Sequence, residues 1–67
     1  MNNFSTRLKE LRLAKGLSLD ALSADTDISF SALRQWEAEM RIPNANAVIK
    51  LAQYFGVATD YLLGLVD

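Results

Sequence analysis

The stretch that decides the fold runs from residue 17 to residue 37 and reads LSLDALSADTDISFSALRQWE. Ser18 and Ser29 each precede a short run with apolar residues at helical spacing, which predicts two short helices with serine N-caps. Between the two runs, the polar sequence DTD at 25–27 interrupts the apolar pattern and predicts a tight turn. Two short helices joined by such a corner form a helix-turn-helix, whose second helix presents its outer face to the DNA major groove.

The second helix of this pair, residues 29–37, has one inner and one outer face. Leu33 and Trp36 are three positions apart and predict a single buried stripe. The other positions are the candidates for reading bases: Phe30, Ser31, Ala32, Arg34 and Gln35. The serine bonds to many bases, the glutamine suits an adenine edge, and the arginine suits guanine or a phosphate. Phe30 and Ala32 fit a thymine methyl, although Phe30 equally fits a protein contact or a fold back onto the edge of the core.

The flanking segments narrow this interpretation. FSTRLKELRLAKGLS at 4–18, WEAEMRIPN at 36–44 and KLAQYFGVATDYLLG at 50–64 resemble, block by block, the small DNA-binding domain of the phage-repressor and Cro type, also called the xenobiotic-response-element family. The resemblance extends over about residues 4 to 64. It implies an all-α fold of five helices, one domain over residues 1–67, and double-stranded DNA as the partner.

The resemblance also implies a structural ion pair. Arg12 falls beside the apolar stripe of the first helix, and Glu37 directly follows the aromatic Trp36. In the family, the residues at these two positions form a partly buried pair, and a planar guanidinium matches a carboxylate in two-point geometry. We therefore expect Arg12 and Glu37 to join the first and third helices.

Three positions depart from the family pattern. Leu19 stands where the family commonly has a glutamine that touches a phosphate or a base, so either an anchor is missing or Leu19 packs against the protein. Asp27 stands at a corner where the family prefers glycine, and Asp adopts the left-handed conformation at small cost. Glu39 replaces a glycine that ends the helix, so either the backbone is strained there or the loop is rebuilt.

The backbone of DNA should be held by the helix starts around this motif. Asn44 follows Pro43 and predicts the N-cap of the fourth helix, and free amides at a helix N-terminus bind anions. The candidates for phosphate or backbone contact are Ser18, Leu19, Arg41, Asn44 and Asn46. For Asn46, plain solvation is an equally good interpretation.

The remaining helices follow from spacing and stop signals. Asn2 or Asn3 caps a first helix that runs from about residue 4 or 5 to Ala14, with an apolar stripe of Phe4, Leu8 and Leu11 and a glycine stop at Gly16. Three of its cations, Arg7, Lys9 and Lys15, are expected to be solvated. The fourth helix has the predicted inner face Ala47, Val48, Leu51, Ala52 and Phe55, and Gly56 ends it. Thr59 is expected to cap a short fifth helix that Gly64 stops.

The tail after Gly64 is apolar for a chain end. It serves either as part of a subunit interface or as the beginning of a linker to another domain. In the first case, the working unit is a two-fold dimer on a near-palindromic site, which pairs mainly on DNA. The candidate interface residues are Tyr61, Leu62, Leu65 and Val66.

Composition limits the chemistry. The chain has 67 residues, 51% of them hydrophobic, which suits one small domain with modest stability. It contains no Cys and no His, so thiolate metal sites, disulfides and the commonest general base are excluded. We therefore expect no metal, no cofactor and no enzymatic activity. No apolar run is long enough for a membrane span or a signal peptide, which favours a cytoplasmic protein.

Charge is the feature that fits DNA binding least well. Seven basic residues against eight acidic ones give a net charge of −1, whereas DNA-binding domains are usually basic. Two functions are therefore compared: a sequence-specific transcriptional regulator, repressor-like and of phage or bacterial origin, and the same scaffold serving as a protein-interaction module or an engineered variant. Leu19, Phe30, Ala32 and the acidic balance favour the second, while the full helix-turn-helix pattern favours the first.

Overall fold

The computed structural model describes residues 3–67, which form five α-helices. They are α1 Asn3–Ala14, α2 Leu19–Thr26, α3 Phe30–Glu37, α4 Ala45–Phe55 and α5 Thr59–Leu62. Helix α1 packs on α3 and α5, α2 packs on α3 and α4, and α4 packs on α5. This arrangement confirms the predicted all-α fold. No helix within residues 3–67 is long and apolar enough to cross a membrane.

One hydrophobic core holds the helices together. Its largest fully buried side chains are five leucines, one from each helix: Leu8, Leu22, Leu33, Leu51 and Leu62. Trp36 joins them with 4% of its surface exposed and meets the ring of Phe4 edge to face at a centroid distance of 6.2 Å. The predicted inner positions of α1, α3 and α4 therefore face the core, with Leu11 and Phe55 half-buried at its edge.

Three of the predicted N-caps are present. The side-chain oxygens of Ser18, Ser29 and Asn44 accept hydrogen bonds from backbone amides three residues later, at 3.0, 3.0 and 2.8 Å. One cap prediction was wrong. Thr59 is the first residue of α5 and follows Ala58, which provides no side-chain cap. Asn3 lies inside α1 as its first residue, and the alternative cap Asn2 lies outside the described residues.

Glu39 adopts the left-handed conformation with φ 61°, so the strained alternative is the correct one. Its backbone amide donates a hydrogen bond to the Trp36 carbonyl at 3.2 Å, and the Met40 amide donates to the Gln35 carbonyl at 2.8 Å. This pair of hydrogen bonds is the Schellman motif. The same motif ends α1, α4 and α5, where the left-handed residue is a glycine each time. Glu39 thus occupies a position that glycine fits better.

Replacing Glu39 with glycine should therefore stabilise the domain. We expect a gain of about 1 kcal/mol, because a left-handed residue with a Cβ costs roughly that much. For a domain of this size the midpoint of thermal unfolding should rise by about 4–8 °C. Asp27→Gly is the matched control: Asp27 is also left-handed, with φ 58°, but aspartate tolerates this conformation, so its gain should be smaller. An unchanged midpoint in Glu39→Gly would show that the turn is unstrained.

The chain after α5 is tied to α1 by Arg7. Its guanidinium lies 4.2 Å from the centroid of the Tyr61 ring and donates hydrogen bonds to the backbone carbonyls of Tyr61 and Val66. Asp67 lies at the edge of ion-pair distance, 4.0 Å away. The expectation that Arg7 is solvated was therefore wrong, because carbonyls and a π-face of α5 and the tail surround its charge. Lys15 also has a contact, at 4.5 Å from the Tyr54 ring centroid.

One predicted interface residue needs correction. Leu62 has 0% of its surface exposed and belongs to the core, so it cannot contact a second subunit. Its neighbour Leu63 is 41% exposed, and the tail residues Leu65 and Val66 are 70% and 50% exposed. Tyr61 is half-buried under Arg7. The apolar surface at this end of the molecule is therefore formed by Leu63 and the tail.

Candidate nucleic-acid interface

The corner between α2 and α3 sets the direction of α3. Asp27 reverses the chain in the left-handed conformation, and Ile28 then packs against the core. The Ser23 hydroxyl donates a hydrogen bond to the Ile28 carbonyl and so fixes the turn from the α2 side. With Leu33 and Trp36 buried, the opposite side of α3 is open to solvent, which is the arrangement that a groove-binding helix requires.

The five candidate base-reading residues do not share one environment. Ser31 and Arg34 are exposed, and Phe30 is 42% exposed and is not part of the core cluster. Phe30 therefore does not fold back onto the core edge. Ala32 is half-buried and packs against the core, so only part of its surface can meet a ligand. Gln35 is half-buried and belongs to a small polar network on the outer face.

That network links α3 to the loop that follows it. The Arg41 Nη1 donates to Gln35 Oε1 at 3.2 Å. Gln35 Nε2 lies 3.5 Å from the hydroxyl oxygen of Ser31, one turn earlier, which is the outer limit of a hydrogen bond. Sequence spacing alone did not indicate the contact between Gln35 and Arg41, because it depends on the reversal of the chain at Glu39.

A cleft of about 440 Å³ lies beside this network, between α3 and the start of α4. Its walls combine residues of the α2–α3 corner, of α3, of the loop and of α4. The lining residues are Asp27, Ile28, Ser29, Ala32, Trp36, Arg41, Asn44, Asn46, Ala47 and Lys50. Three of the predicted phosphate contacts, Arg41, Asn44 and Asn46, are therefore brought together at one opening.

Lys50 is the residue that the sequence reasoning missed. It lines the same cleft as Arg41 and is exposed, so its ammonium adds a second cation to that cleft. A signal was present in the sequence: Lys50 comes four residues after Asn46, and residues four apart share one face of a helix. Asp27 lines the cleft as well and weakens its positive field.

The N-terminus of α4 supplies further donors. Asn44 caps Ala47, whereas the first backbone amides of a helix have no partner inside it. Such amides and the helix dipole favour an anion at this position. Asn46 is exposed in the first turn of α4 and lies at the cleft. This end of α4 therefore has the donors that a phosphate group needs.

The other pair of predicted backbone contacts lies at the start of α2. Ser18 is exposed, but its hydroxyl oxygen already accepts the Ala21 amide as the helix cap. Leu19 packs against the core as a half-buried residue. Packing is thus the correct alternative for Leu19, and as a leucine side chain it offers DNA no hydrogen bond.

Arg12 is a structural cation and contributes little field to the interface. Its Nε and Nη2 donate to the two carboxylate oxygens of Glu37 at 2.7 and 3.0 Å, and its Nη1 donates to the Leu17 carbonyl at 2.7 Å. The two side chains are only 12% and 8% exposed. Hydrogen bonding to Glu37 raises the pKa of Arg12 above its ordinary value, against the opposing effect of burial. The pair joins α1 to α3 and so fixes the position of α3 relative to α1.

The sequence of this chain is similar to those of known proteins. A family model described as helix-turn-helix matches residues 8–62. The uncharacterized HTH-type transcriptional regulator YobD and the HTH-type transcriptional regulator ImmR, both of Bacillus subtilis, are each 34% identical to the chain, over 96% and 87% of its length. The HTH-type transcriptional activator BcrR of Enterococcus faecalis is 30% identical over 90% of the chain. The matches cover 57%, 46% and 29% of these relatives, so the chain spans about half of their length or less.

A solved structure agrees with the computed one. The crystal structure of an HTH_3 family transcriptional regulator from Vibrio cholerae superposes with a TM-score of 0.83 at 28% sequence identity. It is matched over 96% of this chain and 36% of its own. The family match covers the two helices of the motif and all of α4 and α5. The chain belongs to the HTH_3 helix-turn-helix family.

Proposed function

We propose that this chain is a sequence-specific DNA-binding module of a transcriptional regulator, working in the cytoplasm, with α3 in the major groove of double-stranded DNA. The observation that carries the proposal is the solvent-exposed polar face of α3 beside a cleft that holds Arg41 and Lys50. The three curated relatives are named as HTH-type transcriptional regulators or activators. These names support a role in regulating transcription, and they include both regulators and an activator.

Each part of the face has a role in this proposal. Ser31 and Gln35 contact base edges with their polar groups, and Arg34 contacts a guanine or a phosphate. Phe30 supplies an apolar contact such as that to a thymine methyl. The cations and the α4 N-terminus contact the phosphates and set the register of the helix in the groove. Because phosphate contacts carry no sequence information, specificity comes from α3.

The proposal is tested by selecting bound duplexes from a random library and measuring their affinity by mobility shift. We expect a recurrent short motif, bound at least tenfold more tightly than shuffled duplex at the same salt concentration. A matched variant, Arg34→Ala with Gln35→Ala, should lose most of that preference while it keeps its helical circular dichroism. Selection that returns no motif, with equal binding of all duplexes, would contradict sequence-specific function.

We further propose that two copies act together on a near-palindromic site. One small module contacts few base pairs, and its specificity increases when a second copy reads a second half-site. Leu63, Leu65 and Val66 are exposed apolar residues at the α5 end. Leu63 also borders, together with Ile49, an apolar groove of about 320 Å³. An interface formed by these few side chains is small, so the free protein is expected to be mainly monomeric and to pair on DNA.

The dimer is tested by replacing both Leu65 and Val66 with serine. Binding to a full palindrome, with half-site centres about 10 base pairs apart, should fall by about tenfold or more, since the second copy no longer assists the first. Binding to an isolated half-site should not change. Leu13→Ser is the control, because Leu13 is 57% exposed on α1. If both affinities fall together, the tail supports the fold and is not the interface.

A further inference from the structure

The loop after α3 brings a cation onto the face that reads DNA. The left-handed Glu39 and the 2.8 Å bond between the Met40 amide and the Gln35 carbonyl turn the chain back over the end of α3. Arg41 follows this turn, and its Nη1 reaches Gln35 Oε1 at 3.2 Å. The backbone of the loop and the side-chain contact thus hold the same residue, Gln35, from two directions.

This contact decides which end of the Gln35 amide is available. A guanidinium has five donors and no acceptor, so it can face only the oxygen of the amide. The amide nitrogen then points away from Arg41 and lies beside the Ser31 hydroxyl, at 3.5 Å. A free glutamine rotates about its terminal torsion and can present either end. Beside Arg41, it presents the nitrogen.

We infer that Arg41 is a positioning residue for base reading, which orients Gln35 so that its Nε2 donates to a base. The inference rests on the proposed function and specifies how one of its residues selects sequence. In the major groove, guanine N7 and O6, adenine N7 and thymine O4 are acceptors, whereas cytosine offers the N4 donor. The base opposite Gln35 is therefore one with an acceptor, and cytosine is the least favoured.

The competing possibility is that Arg41 contacts a phosphate and has no effect on Gln35. In that case, removing Arg41 lowers the affinity for every duplex by the same factor, because phosphates carry no sequence information. As a positioning residue, its removal frees the Gln35 amide to turn, and preference is lost at the one base pair that Gln35 contacts. In both cases Arg41 also neutralises one phosphate, so its removal lowers the magnitude of the slope of log affinity against log salt by about 0.9. Only the base preference separates them.

The experiment measures affinity for every single-base variant of the selected site. It compares the wild type with Arg41→Ala, Gln35→Ala and the double variant. Lys50→Ala is the matched control, since it also removes one exposed cation from the cleft and has no contact with Gln35 among the hydrogen bonds of residues 3–67. Circular dichroism and thermal unfolding confirm that each variant is folded.

Arg41→Ala and Gln35→Ala should flatten preference at the same base pair, from about tenfold to about twofold or less. The double variant should be no flatter than Gln35→Ala alone, and Lys50→Ala should weaken all sites equally with the preference intact. Uniform weakening by Arg41→Ala, with the preference at the Gln35 base pair retained, would overturn the inference and leave the proposed function standing. A wild type without any base preference would overturn both.

Discussion

Arg12→Met should destabilise the domain by about 3 kcal/mol, because the carboxylate of Glu37 is left buried without its partner. The Glu37 side chain is 8% exposed, and both of its oxygens accept from Arg12. The loss also frees the Leu17 carbonyl, to which Arg12 donates. A domain of this size has a total stability of about 3–10 kcal/mol, so the variant should lose between about a third and all of it.

A double-mutant cycle with Glu37→Met gives the coupling between the two residues. Removing both partners should cost less than the sum of the single changes by about 1–3 kcal/mol, since no charge is then left buried. Urea unfolding followed by circular dichroism measures all four proteins. Lys9→Met is the control: Lys9 is an exposed cation on α1, and its replacement should change stability by no more than about 0.5 kcal/mol. Simple additivity of the two single changes would contradict the coupled pair.

Affinity for duplex DNA should fall about a hundredfold when the salt concentration rises from about 50 mM to about 200 mM. Each phosphate that a cation neutralises contributes about 0.9 to the slope of log affinity against log salt, and three to four contacts give a slope of about −3 to −4. The exposed cations of the proposed face are Arg34, Arg41 and Lys50. The overall charge of −1 keeps binding modest, because it adds no long-range attraction.

Fluorescence anisotropy of a labelled duplex over a series of KCl concentrations measures this slope. Lys50→Gln should reduce its magnitude by about 0.9, because one phosphate contact is lost. Lys9→Gln, on exposed α1, should leave it unchanged. A slope near zero for the wild type would mean that the cations of the cleft do not contact phosphates, which would contradict the prediction.

The net charge of −1 includes several charged side chains that are paired with other groups of the protein. Arg12 is neutralised by Glu37, and Arg7 is committed to carbonyls and to the Tyr61 ring at the opposite end of the chain. Asp25 accepts a hydrogen bond from the Tyr54 hydroxyl at 2.6 Å, which raises the pKa of Tyr54. Several charges thus serve the packing of helices. The formal total therefore says little about the field at α3.

The sequence by itself determined the features that depend on local chemistry. Ser18, Ser29 and Asn44 cap helices because a side-chain oxygen can reach an amide three residues later in any surrounding structure. The inner faces of α3 and α4 follow from helical spacing, which continues for long enough to define a stripe. The break in the apolar pattern indicates a turn before Ile28, and the left-handed conformation of Asp27 is what the resemblance to the family implies.

Tertiary structure decided the features that depend on distant parts of the chain. Helix α5 spans only Thr59–Leu62, so spacing could not distinguish Leu62, which is buried, from Leu63, which is exposed. The hydrogen bond from Arg7 to the Tyr61 carbonyl joins residues more than fifty positions apart. The cleft that Lys50 lines is formed only when α3, the loop after it and α4 come together. The orientation of Gln35 depends on where Arg41 arrives after the turn at Glu39. Periodicity describes one helix at a time, whereas these features arise from the distances between helices, which packing of the core sets.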